Sequence, residues 1–112
     1  MSLYVLALGT GRTPDDSMGK EYLLRFPFER RGLLEDLLIR APLFHGLAPR
    51  TGGLEVYEFR APANADTLPD AHVTIEVEGL YFSDNGGEGL SVLQELLLDI
   101  ARTFGPPEVE EL

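Results

Sequence analysis

The residues best suited to chemistry are two histidines and a set of carboxylates, most of them in the second half of the chain. Asp70-x-His72 puts a carboxylate and an imidazole on the same side of a strand entrance, where the carboxylate orients the ring as a base. Thr74, Glu76 and Glu78 extend that face at alternate positions. A base, its orienter and nearby carboxylates suit hydrolysis, or a metal held by histidine and carboxylates. The competing reading, which the pattern favours, is a solvated sheet face with Glu76 or Glu78 paired to Arg25 or Arg60. His45 lies among apolar residues in "LFHGLAPR" and reads first as a packing residue, with catalysis behind it.

The segment "FSDNGGEGL", Phe82 to Leu90, joins an expected strand to an expected helix. Glycine-rich loops at helix N-termini hold phosphate when the local field is positive. This one has no Lys or Arg, and Asp84 and Glu88 would face the anion, so phosphate is rejected. Asp84, Asn85 and Glu88 offer hard oxygens suited to Ca²⁺ or Mg²⁺, although the twelve-residue EF-hand register is absent. The simpler reading is a turn, with glycine free to take positive φ and acidic residues complementing the helix dipole. Ser91-x-x-Gln94 would supply a capping box.

Other motifs fail on spacing. Gly9-x-Gly11 would need a third glycine where Pro14 stands, so the dinucleotide fingerprint is rejected. No Gly-x-Ser-x-Gly elbow is present. The chain has no cysteine, which excludes disulfides, thiolate metal sites and cysteine nucleophiles. No cofactor is implied.

These side chains must be positioned by short elements. Leu3 to Leu8 is an apolar run that predicts a buried strand. Glu21 to Phe28 alternates, with Tyr22, Leu24, Phe26 and Phe28 on one face. Glu29 to Arg40 changes to helical period, with Leu33, Leu34, Leu37, Leu38 and Ala41 in one stripe. Residues 42–53 read as a loop. Leu54 to Ala61 reads as a strand, 62–71 as a loop, and His72 to Phe82 as the longest strand, with a bulge at Gly79. The final helix carries the stripe Leu90, Leu93, Leu96, Leu97, Ile100, Ala101 and Phe104, and stops at Gly105-Pro106-Pro107. Val92 and Leu98 lie off that stripe, which suggests burial on more than one side.

The order β-β-α-β-β-α predicts an α+β two-layer sandwich: a four-stranded, mostly antiparallel sheet with both helices on one face. Residues 1–105 form one domain, and 106–112 an acidic, frayed tail. The first strand is apolar on both sides, so a homodimer is expected to bury its second row.

Charge bounds the function. Residues 1–50 carry seven basic and six acidic side chains, whereas residues 51–112 carry two and thirteen. Such a surface disfavours nucleic acid and anionic membrane as partners. No apolar run approaches the roughly 20 residues of a membrane span, and without an export signal the cytoplasm is the default. The reading that follows is a small acidic non-catalytic interaction protein, of inhibitor or immunity type, that binds a basic protein partner. Glu76, Glu78, Asp84 and Glu88 are its expected contact residues. The alternatives are a small hydrolase or metal-dependent enzyme on the Asp70, His72 and Glu76 face, and an assembly subunit acting through its sheet.

Overall fold

The computed structural model describes residues 19–49 and 55–112. The predicted strand Leu3 to Leu8, and the apolar row on which the dimer expectation rests, lie outside them.

The chain is α+β: the described residues form two helices and a mostly antiparallel sheet of six strands, where four were expected. β1 is Lys20–Arg25, α1 Arg31–Ile39, β2 Phe44–Pro49, β3 Glu55–Phe59, β4 Ala71–Glu76, β5 Gly79–Asp84, α2 Gly89–Thr103 and β6 Glu108–Glu111. The spatial order is β2-β3-β4-β5-β1-β6, and every neighbouring pair is antiparallel. β2 to β5 form a meander. β1 inserts beside β5, and β6 closes the far edge.

Three expectations are corrected. The supposed loop 42–53 contains β2, whose pairing with β3 shifts register between Phe44 and Gly46. The long strand His72 to Phe82 is a hairpin. β4 and β5 are joined through Val77-Glu78, with Glu76 paired to Gly79 and Ile75 to Leu80. A turn, not a bulge, therefore brings Leu80 and Phe82 back to the core. The acidic tail, read as frayed, forms β6, which pairs with β1 from Arg25↔Glu108 to Tyr22↔Glu111.

Alternation decides which face of the sheet is buried. Tyr22 and Leu24 of β1, Leu80 and Phe82 of β5, Val73 and Ile75 of β4, and Tyr57 and Phe59 of β3 are buried together. Leu34, Leu37 and Leu38 of α1 and Val92, Leu93, Leu96, Leu97 and Ile100 of α2 belong to the same cluster. Each such side chain contributes about 1.5–3 kcal/mol when removed from water. The α2 stripe is rotated from the expected one: Val92 is buried, while Ala101 and Leu98 are exposed. The helix is thus buried on one side only. In α1, Leu33 likewise turns outward.

The second face of the sheet is polar. It carries Glu21, Leu23 and Arg25 of β1, Tyr81 and Ser83 of β5, His72, Thr74 and Glu76 of β4, and Glu58 of β3. Among the described residues, no helix is long and apolar enough to cross a membrane.

Candidate functional site

Two groups of chemistry-bearing residues emerge, at opposite ends of the β4–β5 hairpin. The first centres on Asp70, just before β4. Its buried carboxylate accepts the Glu88 N–H at 2.7 Å on Oδ2, and the Ala61 N–H at 3.2 Å with the Asn64 side-chain amide on Oδ1. Burial pushes the Asp70 carboxyl up, but these hydrogen bonds outweigh it and hold the group below the usual carboxylate range.

Glu88 immediately precedes α2 and caps nothing with its own side chain. The cap comes from Asp70, eighteen residues earlier, which satisfies one of the free N–H groups at the helix start. Its negative charge also complements the positive end of the helix dipole. The expected capping box is not used, because α2 begins at Gly89 and places Ser91 inside its first turn.

The glycines follow from this close approach. Gly86 and Gly87 take positive φ, and a Cβ on Gly87 would come within 2.6 Å of Asp70 Oδ2. A Cβ on Gly89 would overlap the Asp84 carboxylate and press on the Asp70 carbonyl. "DNGGEG" is therefore a turn, and a cradle for two buried carboxylates. It leaves a cleft of about 900 Å³ between segments 61–70 and 85–88.

Asn85 ties this hub to His72. Its backbone N–H donates to the Asp70 carbonyl at 2.9 Å, and its side-chain amide to the Pro69 carbonyl at 3.0 Å. The same amide nitrogen lies 2.9 Å from His72 Nδ1, while Oδ1 accepts the Ser83 hydroxyl at 3.1 Å. An amide nitrogen only donates, so in this contact Nδ1 is the acceptor. Asp70 and His72 thus meet through Asn85, with the Asp70 carboxylate directed to two main-chain donors and the Asn64 side-chain amide. Sequence reasoning weighed Asn85 as a cation ligand and favoured a turn residue; its place across from Pro69 is a tertiary fact with no local signal.

The other candidates separate. His45 is exposed at the register shift of edge strand β2, with β3 between it and β4. Asp84 is fully buried and accepts the Gly86 N–H at 2.9 Å, which removes it from surface contact with a partner. Glu88 is exposed. Among the described residues, no group of three His, Cys, Asp or Glu is placed to hold a metal ion.

The second group lies on the polar face at the hairpin's turn. Leu23, Thr74 and Tyr81 stand in one cross-strand row, and with Glu76, Val77, Glu78 and Leu112 they line a groove of about 530 Å³. Val77 is 97% exposed and Leu112 59%. Arg25 Nε meets Glu78 at 3.0 Å, and its terminal nitrogen meets Glu110 at 2.6 Å. Its hydrogen bonds to Glu110 and then to Glu78 raise the guanidinium pKa above its ordinary value. The expected Glu78–Arg25 pair thus forms. Arg60 instead donates to the Asp66 carbonyl at 2.6 Å and the Thr67 carbonyl at 3.3 Å, latching the loop before β4. The Glu76 carboxylate accepts the Thr74 hydroxyl at 2.9 Å.

In comparisons with known proteins, no family model matches the chain, and neither the curated proteins nor the solved structures yield a match.

Proposed function

We propose that the protein is a small acidic interaction protein that docks a basic protein partner on the polar sheet face, at the turn of the β4–β5 hairpin. The observation that carries this reading is the pairing of exposed apolar side chains, Val77 and Leu112, with the carboxylates of Glu76, Glu78 and Glu110 around a shallow groove. Apolar anchors inside a charged rim are the usual anatomy of a protein interface. A lone exposed valine is ordinary, whereas a valine at a hairpin tip beside a second exposed apolar residue and an acidic rim favours a partner of opposite charge. Arg25 is shared between two glutamates, so the rim keeps a negative excess.

The fold reading that accompanies this is two-layered, with both helices on the face opposite the groove. The run of antiparallel neighbours makes β1 parallel to β2 and β5 parallel to β6, each pair joined through a helix. β1 to β2 runs toward one edge, and β5, pointing the other way, runs to β6 at the opposite edge. If both connections take the usual right-handed path, the two helices fall on the same side. Among the described residues, no helix then covers the polar face.

The test is native mass spectrometry of the chain recovered from its host, as wild type and as Glu76→Lys/Glu78→Lys, at low and raised salt. The expected result is a basic partner retained by the wild-type chain, released as ionic strength rises, and bound at least about tenfold more weakly by the double variant. A complex that survives both salt and charge reversal would refute the proposed face.

A further inference from the structure

The outer edge of β6 lies directly beside the acidic groove. In antiparallel pairing, the N–H and C=O of alternate residues point to the same side. Leu112 N–H donates to the Glu21 carbonyl at 2.8 Å, so Glu108, Glu110 and Leu112 direct their main-chain groups inward to β1. Val109 and Glu111 therefore present theirs outward, along an edge with no neighbouring strand among the described residues. An open strand edge is a template for strand addition.

We infer that this edge accepts an extended basic segment of the partner as a seventh strand; the inference rests on the basic-partner reading above. Charge selects the occupant. Glu21, Glu76, Glu78, Glu108, Glu110 and Glu111 surround the edge and groove, against the cations Arg25 and Lys20, which pair with Glu78, Glu110 and Glu111. A second copy of this chain would set glutamate opposite glutamate, and like charges directly across a ladder are destabilising. A strand alternating Lys or Arg with apolar residues would place its cations beside Glu108 and Glu110. Those two share the polar face with Leu112, so the segment would run along the groove rim. Main-chain bonds to Val109 and Glu111 would supply the pairing.

The probe is a blocked peptide of about eight residues alternating lysine and valine, compared with the same peptide N-methylated at alternate amides. The expected result is salt-sensitive binding that slows hydrogen exchange at the Val109 and Glu111 amides. N-methylation should weaken it at least about tenfold, because it removes donors from the peptide edge. Glu111→Pro should weaken it by a similar factor, since it deletes an outward N–H and leaves the inward bonds of Glu110 and Leu112 in place. The Glu108→Lys/Glu110→Lys chain, which keeps every main-chain donor, should lose binding through charge alone. If Glu76→Lys/Glu78→Lys abolishes binding while N-methylation and Glu111→Pro leave it unchanged, the groove reading stands and strand addition falls. No binding of the unmodified peptide at low salt overturns strand addition outright.

Discussion

Asp70→Ala is expected to destabilise the fold by about 3–5 kcal/mol, measured by urea denaturation at neutral pH. The substitution removes one carboxylate and leaves two main-chain N–H groups, of Ala61 and Glu88, without their acceptor. Hydrogen bonds to a charged acceptor contribute about 1.5–3 kcal/mol each, and buried donors left unmade carry the desolvation cost besides. The effect is not confined to one loop. Asp70 fastens segment 61–64 and the start of α2 to the mouth of the β4–β5 pair, so its loss loosens three elements together.

The same carboxylate predicts an acid limb of known sign. Its folded pKa lies below its unfolded value, so between the two the unfolded chain binds more protons and stability rises with pH. The Asp70 contribution is complete above the unfolded carboxyl pKa of about 3.9 and is lost as pH falls through the folded value. Asp70→Asn, which keeps the shape and cannot titrate, should be less stable than wild type at pH 7 and show a shallower loss below pH 4. An Asp70→Asn chain as stable as wild type at pH 7 would mean that the cap is not electrostatic.

Gly79→Ala is the second large effect, expected at about 4 kcal/mol by thermal or urea unfolding. Gly79 has φ of +152°, a conformation that L side chains rarely adopt. A Cβ there would overlap the main-chain carbonyl oxygen of Leu24, which cannot rotate away as a side chain would. Leu24 pairs with Leu80 in the centre of the sheet, so relief of the clash would shift the β1–β5 ladder. Gly32, whose added Cβ meets nothing within 4 Å, is the control: Gly32→Ala in the first turn of α1 should be neutral or slightly stabilising. Equal effects at the two positions would count against the proposed collision.

These two positions also show where the sequence was legible. The alternation of Tyr22 and Leu24, and of Val73 and Ile75, marked core faces that the structure buries. The i, i+3, i+4 stripe and the Gly105-Pro106-Pro107 stop located α2 to within a residue, because helical period and helix termination are local properties. The hairpin was hidden for an equally local reason. Val77 continues the alternation of Val73 and Ile75, and Val77-Glu78 carries no Asn-Gly or Asp-Gly signal. The positive φ falls on Gly79, one residue after the turn.

β2 and β6 were not legible at all. "FHGLAP" contains glycine and proline and lacks polar alternation, and "EVEE" is short and acidic. Each is a strand only because a neighbour offers a ladder to complete, β3 for one and β1 for the other. The candidate site divides the same way. Sequence alone determined a cysteine-free, acidic α+β chain, its main core-facing residues, the turn character of "DNGGEG", and the alternation that sets Glu76 apart from the core-facing Val73 and Ile75. Tertiary structure alone decided that Asp70 caps a helix eighteen residues away, that Asp84 is buried, and that Asn85 stands between Asp70 and His72. It also decided that an acidic tail becomes the edge of a sheet. Period and turn chemistry act over a few residues and can be read along the chain, whereas caps, cradles and sheet edges depend on distant segments that only the folded chain brings together.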